Sequence, residues 1–295
     1  MSRCAGASLA RADELAGSAS TVRSFLLVED PGPWGADILR DSRLPAAARA
    51  ALGAVPAVRP LLVRRSGRRQ AGDGVHVFAV HVGTSGGWAE ATRLDSVHDV
   101  ADLDLTPLSL GRSMGLDPHP DPLVLVCTHG RHDACCAERG RPAAVALAGA
   151  GLDAWECSHI GGDRFAGNLL VLPEGIYYGR VDADVVEGLV RRHLAGTLDL
   201  DRMRGRSSLP MPVQAAEVAV RRHLDAPAPS DVRHLGHRGA DGIVAARFGV
   251  PGGEAVVRVR TTAGPETALL TCQAIRSSRL PRHEILGIEL TGVSP

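Results

Sequence analysis

The chain has 295 residues, of which 44% are hydrophobic but only 3% aromatic, and its formal net charge is zero. This length is enough for two or three domains with a buried core packed mainly by aliphatic side chains. The balanced charge gives no electrostatic reason to expect nucleic acid or an anionic membrane as a partner. No apolar run approaches the ~18 residues of a membrane span, so we expect a cytoplasmic protein without a membrane segment.

The basic residues and the cysteines further restrict the kinds of active site that the chain can contain. All 33 basic residues are arginine, which excludes a Schiff-base lysine and a P-loop phosphate site. Four of the six cysteines lie between positions 127 and 157. Structural disulfides are not expected in a cytosolic chain of this length, so this clustering indicates metal or thiol chemistry.

The first part of the chain alternates apolar runs with turn signals. Strands are predicted at residues 22–31, 58–65, 75–83 and 88–94, helices at 34–41 and 45–53, a polar loop at 66–74, a turn at 84–87, and a helix or turn at 95–103. The predicted order is therefore β-α-β-β-β-α.

The same order is predicted again in the middle of the chain. Strands are expected at 122–127 and 153–158, a hairpin at 168–173 and 176–181, and helices at 136–149 and 183–195, the last with Asp182 as its N-cap. A distant internal duplication explains the repetition, and the first half then lacks the loop cysteines. Two unrelated α/β units remain the alternative.

The C-terminal third reads as a smaller unit. After a linker at 196–212, a helix is predicted at 213–225, strands at 243–248 and 254–262, and a mixed segment around Cys272. We assign this unit no catalysis and give Cys4 and Cys272 no role. The predicted fold is α/β, with thioredoxin-like halves at 1–110 and 111–200 and an α+β unit at 201–295.

A loop with three cysteines follows the predicted strand at 122–127. Cys127 ends that strand, whereas Cys135 and Cys136 open the next helix, whose N-terminus stabilises thiolates. A spacing of nine residues is too long for C-x-x-C chemistry or a tight zinc knuckle, but such a loop can surround an inorganic cluster. His129 and His132 in this loop are expected to be exposed.

A second polar segment follows the next predicted strand, with Cys157 and His159 two residues apart and therefore on one side of a strand. Gly161 and Gly162 allow positive φ angles there. Two thiols and an imidazole can thus meet at one sheet edge, which suits zinc or an iron–sulfur cluster.

The segments CTHGRHDACCAERGRP and WECSHIGGDRFAGNLLVLPEGIYYGRV together resemble the sucrase/ferredoxin-like family, strongly over 120–195 and more weakly over 20–65. The resemblance implies a thioredoxin-like ferredoxin that holds a [2Fe-2S] cluster through two cysteines and two histidines. Cys127, Cys136 and His159 match three of these positions. Asp163 stands where the family has its second histidine, so Asp163 is the expected fourth ligand, with Cys157 and then Cys135 as alternates.

The sequence therefore predicts a one-electron carrier rather than an enzyme, working with a separate reductase or acceptor protein. No glycine-rich dinucleotide motif follows a strand, so a second cofactor is not expected. One alternative is a thioredoxin-like thiol oxidoreductase with Cys127 as nucleophile and Cys135 or Cys136 as the resolving thiol. The other is a structural zinc site or a metal-free binding scaffold.

Overall fold

The computed structural model describes residues 3–66, 74–84 and 86–292, so most of the predicted loop at 66–74 and part of the turn at 84–87 lie outside the described residues. Within these residues the protein is a mixed α/β structure with a ten-stranded sheet and a four-stranded sheet. The strands of the larger sheet are β1 (Ser24–Glu29), β2 (Val58–Arg65), β3 (Val75–Val82), β4 (Gly87–Leu94), β5 (Asp117–Pro118), β6 (Leu123–Cys127), β7 (Ala154–Cys157), β8 (Leu169–Leu172), β9 (Ile176–Tyr178) and β10 (Met203–Arg206).

The remaining elements complete the chain. The smaller sheet contains β11 (Arg233–Ala240), β12 (Ile243–Val250), β13 (Gly253–Ala268) and β14 (Ser278–Thr291). The helices are α1 (Cys4–Ala10), α2 (Ala46–Gly53), α3 (Thr106–Ser109), α4 (Ala134–Gly149), α5 (Val186–Leu194) and α6 (Met211–Leu224), with short 3₁₀ turns at Val97–Asp102, Asp163–Phe165 and Pro229–Asp231. No helix in the described part of the chain is long and apolar enough to cross a membrane.

The larger sheet repeats one strand arrangement on either side of a central seam. In the first half β1 pairs in parallel with β2 and antiparallel with β3, which continues to β4. In the second half β6 pairs in parallel with β7 and antiparallel with β8, which continues to β9. The seam is the antiparallel pair of β2 and β7, where Val63 lies opposite Cys157. One continuous sheet therefore contains both halves.

The central strands form because their residues are apolar on both faces. Every residue of β6 is buried, and in β1 only Glu29 is partly exposed. Strands covered on both faces read as continuous hydrophobic runs, which is why the sequence identifies them. Helix α4 covers β6 closely, because a Cβ on Gly140 would overlap the carbonyl oxygen of Cys127.

Two of the predicted helices differ from the structure, one in type and one in its first residue. Residues 34–41 are not helical, because the Asp37 carboxylate accepts the backbone N–H groups of Leu39 and Arg40 in a local turn. The helix predicted at 183–195 begins only at Val186, and Asp182 does not cap it but pairs with Arg139 at 2.8 Å.

The predicted linker at 196–212 contains β10, which pairs with β9 at the edge of the larger sheet. In the C-terminal part, β11 and β14 were not expected, and Cys272 lies in the turn region between β13 and β14. Helix α6 packs on the smaller sheet through an apolar cluster that includes Val213 and Phe248. The division at residues 110 and 200 stays a prediction.

Candidate metal centre

Two loops at the carboxyl ends of β6 and β7 carry the predicted ligands. Cys127 is the last residue of β6, and Cys136 lies in the first turn of α4, whose N-cap is Asp133. The Asp133 carboxylate accepts the N–H of Cys135 at 2.8 Å. This cap fixes the start of α4 and thereby the position of Cys136 over the end of β6.

The second loop bends back over the first through its glycines. Gly161 and Gly162 have φ angles of +95° and +82°, and a Cβ on Gly162 would overlap the guanidinium of Arg204. Arg204 is almost fully buried and donates to Asn168 at 2.8 Å, while Asn168 donates to the Gly162 carbonyl at 2.8 Å. The loop between His159 and Asn168 is therefore held by a buried polar network.

The four predicted ligands meet at one place. The ligand atoms of Cys127, Cys136 and His159 lie within 4.8 Å of one another, and so do those of His132, His159 and Asp163. Asp163 Oδ1 lies 3.4 Å from Cys136 Sγ and 3.0 Å from His159 Nδ1. The structure therefore brings these four side chains together, whereas their assignment as metal ligands remains a prediction.

The two alternate ligands are not part of this group. Cys157 is fully buried and lies opposite Cys127 in the parallel register of β6 and β7, but among the described residues its thiol joins none of the potential metal-binding groups. Cys135 points away from Cys136 and lies in a separate group with Cys4, Asp133 and Cys272. Neighbouring residues of a helix are rotated by about 100°, so the adjacent thiols reach different places.

Electrostatics at the site favour an ionised Cys127. Its hydrogen bond with the Cys136 thiol and its contact with His159 lower the pKa of Cys127 well below the usual value, although burial opposes this. The same hydrogen bond, together with burial, raises the pKa of Cys136. The pair therefore shares one negative charge in the absence of a bound cation.

His159 and Asp163 form a pair of opposite charges beside the two cysteines. Burial disfavours the imidazolium, but Asp163 and Cys127 outweigh burial and raise the pKa of His159 to about 9. Burial likewise opposes ionisation of Asp163, but His159 outweighs it and lowers the pKa of Asp163.

Two histidines expected in solvent connect the site to the first half of the sheet. His129 is only 3% exposed: its Nε2–H donates to the Gly35 carbonyl at 2.6 Å, and its Nδ1 accepts the His159 N–H at 3.2 Å. Burial lowers the pKa of His129, which suits this neutral tautomer. The half-buried His132 stacks on His159 with ring centroids 3.8 Å apart. The composition of the loop did not reveal these contacts, because Gly35 and His159 belong to other segments that only the folded chain brings to it.

The donor set fits a metal centre. Two sulfurs and one imidazole nitrogen form one group, and an Asp163 oxygen contacts both Cys136 and His159. Sulfur with imidazole suits zinc or an iron–sulfur cluster. His159 Nδ1 is buried and makes no hydrogen bond of acceptable geometry, despite its short distance to Asp163. A buried nitrogen without a hydrogen bond can serve as a metal ligand.

Part of the chain is similar to a known protein. A curated relative, altered inheritance of mitochondria protein 32 from Meyerozyma guilliermondii, is 32% identical over 97 residues, which cover 29% of this chain and 34% of that protein. The chain therefore matches about a third of that relative's length.

Among solved structures, the thioredoxin-like [2Fe-2S] ferredoxin from Aquifex aeolicus is 18% identical, with a TM-score of 0.27, and the match covers 30% of this chain and 94% of that one. Its Cys55Ser variant gives a TM-score of 0.26 at the same identity, over 28% of this chain and 97% of that one. The model of the sucrase/ferredoxin-like family matches residues 15–205, well beyond the two motifs that suggested it. The chain belongs to the sucrase/ferredoxin-like family.

Proposed function

We propose that the protein is an electron carrier that binds a [2Fe-2S] cluster through Cys127, Cys136, His159 and Asp163. The observation that carries this proposal is the convergence of these four side chains from two loops at one end of β6 and β7. Such a cluster supplies one-electron chemistry, which the side chains of this protein lack on their own.

The surroundings of the site suit this role. Both cysteines are at most 1% exposed, so water has little access to the sulfurs. The side chain of His159 is 20% exposed, which makes the histidine side the accessible side of the site. An imidazole in place of a thiolate makes the site less negative, so we expect a higher reduction potential than with four cysteines.

The proposed partner is a separate reductase or acceptor protein that docks on the histidine side. Electrons must enter from outside the chain, because no second cofactor motif is present in the sequence.

We propose that the protein is cytoplasmic. The support is that none of the six cysteines, all of which lie in the described part of the chain, forms a disulfide.

For the fold, we propose that the two halves of the larger sheet are thioredoxin-like units that arose by duplication. The support is the identical strand arrangement on either side of the seam, with a helix connecting the two parallel strands in each half. In this scheme only the second half retains cysteines in its loops.

The fourth ligand is tested by comparing three anaerobically purified proteins: the wild type, Asp163→Ala and Cys157→Ala. We expect a red-brown wild type with about two irons and two sulfides per chain, as a [2Fe-2S] centre requires. Asp163→Ala should lose the cluster or change its spectrum, whereas Cys157→Ala should leave the spectrum as in the wild type. A colourless, iron-free wild type would refute the cluster, and an altered spectrum only in Cys157→Ala would refute Asp163 as ligand.

A thiol oxidoreductase is the second candidate, favoured by the lowered pKa of Cys127 beside the Cys136 thiol. The 1% exposure of Cys127 argues against attack on a protein disulfide. Alkylation of the native metal-free protein with iodoacetamide, followed by peptide mass mapping, separates the two. Rapid and selective labelling of Cys127 would favour the oxidoreductase, and its protection would favour the electron carrier.

A further inference from the structure

A second group of cysteines lies on the other side of the start of α4. Cys4 begins α1, Cys135 lies in the first turn of α4, and Cys272 lies in the turn region between β13 and β14. Their sulfurs form a nearly equilateral triangle, with Sγ–Sγ distances of 3.6 Å for Cys4 and Cys135, 3.3 Å for Cys135 and Cys272, and 3.5 Å for Cys272 and Cys4.

These distances are close to the sulfur–sulfur edges of a metal-thiolate site, although somewhat shorter. A tetrahedral zinc ion with Zn–S bonds of about 2.3 Å separates its sulfurs by about 3.8 Å. A disulfide, with a bond of about 2.05 Å, could join only two of the three thiols and would leave the third unpaired. A triangle of mutually contacting thiols from three remote segments is therefore better explained by a shared cation.

Asp133 completes the group as a fourth donor. Its carboxylate oxygens lie 3.8 and 3.7 Å from Cys4 Sγ, and they accept the backbone N–H of Cys135 at 2.8 Å and of Cys272 at 2.6 Å. One fully buried carboxylate thus positions two of the three cysteines. Three sulfurs and one oxygen give four donors, the number in a structural zinc site, and thiolate and carboxylate both bind zinc.

Burial and charge are consistent with a closed structural site. Cys4 and Cys135 are 4% and 1% exposed, whereas Cys272 is partly exposed and leaves a route for the ion. Burial raises the pKa of Cys4 and raises that of Cys135 to about 11, so a cation must displace the protons of these thiols. The positive dipole end of the 16-residue helix α4, in whose first turn Cys135 lies, favours the resulting thiolates.

We propose that Cys4, Cys135 and Cys272, with Asp133, bind a structural zinc ion that is distinct from the redox centre. The ion fastens α1 and the β13–β14 turn to the N-terminus of α4. Three thiols lose their protons on binding, and no other bond is made or broken. This site does not depend on the nature of the redox centre, since it shares no ligand with that centre.

The test uses the full-length wild type, Cys272→Ser and Cys127→Ala, purified without added metal and analysed for zinc, iron and acid-labile sulfide. We expect about one zinc per chain in the wild type and in Cys127→Ala, because four protein ligands close the site. Cys272→Ser should lose the zinc and keep the visible spectrum of the wild type, and that spectrum also shows that the variant is folded.

Several results would overturn the zinc site. These are absence of zinc from Cys127→Ala, full retention of zinc by Cys272→Ser, loss of iron and sulfide rather than zinc in Cys272→Ser, or a disulfide detected by intact mass in the alkylated, unreduced wild type. If the wild type is colourless but binds zinc that only Cys272→Ser loses, this site stands and the [2Fe-2S] proposal is refuted, and circular dichroism then shows that the variant is folded. The two proposals therefore fail separately.

Discussion

At the scale of single residues, the most consequential difference from the family pattern is Asp163 at the position of a histidine. Its carboxylate lies 3.0 Å from His159 Nδ1 and also contacts Cys136. A carboxylate stays ionised where a histidine would be neutral, so this chain brings an additional negative charge to the candidate ligands. In the metal-free protein that charge is balanced by protonation of His159.

This balance makes the stability of the reduced, metal-free protein depend on pH. The pKa of His159 is raised from 6.5 to about 9, so its contribution is complete below about pH 6.5 and is lost as pH rises through about 9. The raised pKa corresponds to roughly 3 kcal/mol at most. We expect the free energy of unfolding in urea to fall over this range in the wild type and much less in Asp163→Asn. Equal slopes in the two proteins would contradict this account of the pair.

At the scale of elements, the contact between α4 and β6 determines where Cys127 and Cys136 lie. Gly140 is the residue that allows the helix to approach, because any Cβ there would overlap the Cys127 carbonyl. Gly149 lies in the same helix but is exposed and has open space around it. Alanine substitutions at these two glycines therefore distinguish the effect of close helix–strand packing from that of helix propensity on stability.

We expect Gly140→Ala to destabilise the protein by about 1–3 kcal/mol, because overpacking forces the helix away from the strand. Gly149→Ala is the matched control and should stabilise by up to about 1 kcal/mol, since alanine is the better helix former. Denaturant unfolding of both variants checks the prediction. Gly140→Ala should also reduce metal retention, and two variants of equal stability would show that the close approach is unimportant.

At the scale of the whole molecule, a polar cluster crosses the seam between the two halves. Glu156 on β7 accepts from Arg64 at 2.7 Å, from Thr128 at 2.7 Å and from Ser66 at 3.0 Å. Although burial opposes its ionisation, Arg64 and Thr128 lower the pKa of Glu156. Because its folded-state pKa is depressed, the stabilisation is present above about pH 4.5 and is lost as pH falls below that.

Glu156→Gln should therefore cost about 1–3 kcal/mol near neutral pH, since it weakens charge-assisted hydrogen bonds at a mostly buried position. The control is Glu187→Gln, which removes an exposed pair with Arg191 and should cost less than about 0.5 kcal/mol. Urea unfolding at pH 7 and pH 4 distinguishes them, because only the Glu156→Gln penalty should shrink in acid. A pH-independent penalty would mean that Glu156 acts through packing alone.

The sequence predicted what local patterns encode. The apolar runs of β1 and β6 were identified because periodicity is a local property. Cys127, Cys136 and His159 were selected as candidate ligands by the resemblance of their two segments to the sucrase/ferredoxin-like family. The edge strand β11, with two glycines and two histidines, has little intrinsic β preference and forms by pairing with β12. The approach of Cys4 and Cys272 to Cys135 could not be predicted from spacing, because only the folded chain brings these segments together.

Through the antiparallel pairing of β2 with β7, the two halves of the larger sheet meet in the way that two subunits of a dimer meet. The strands overlap only near their carboxyl ends, so the loop after β1 meets the loop after β6, where the backbone of Gly35 and Ala36 contacts His129 and His132. The candidate site thus resembles a composite site between subunits, with the candidate ligands on one half of the sheet and an enclosing wall on the other. Because both halves belong to one chain, that arrangement does not depend on protein concentration.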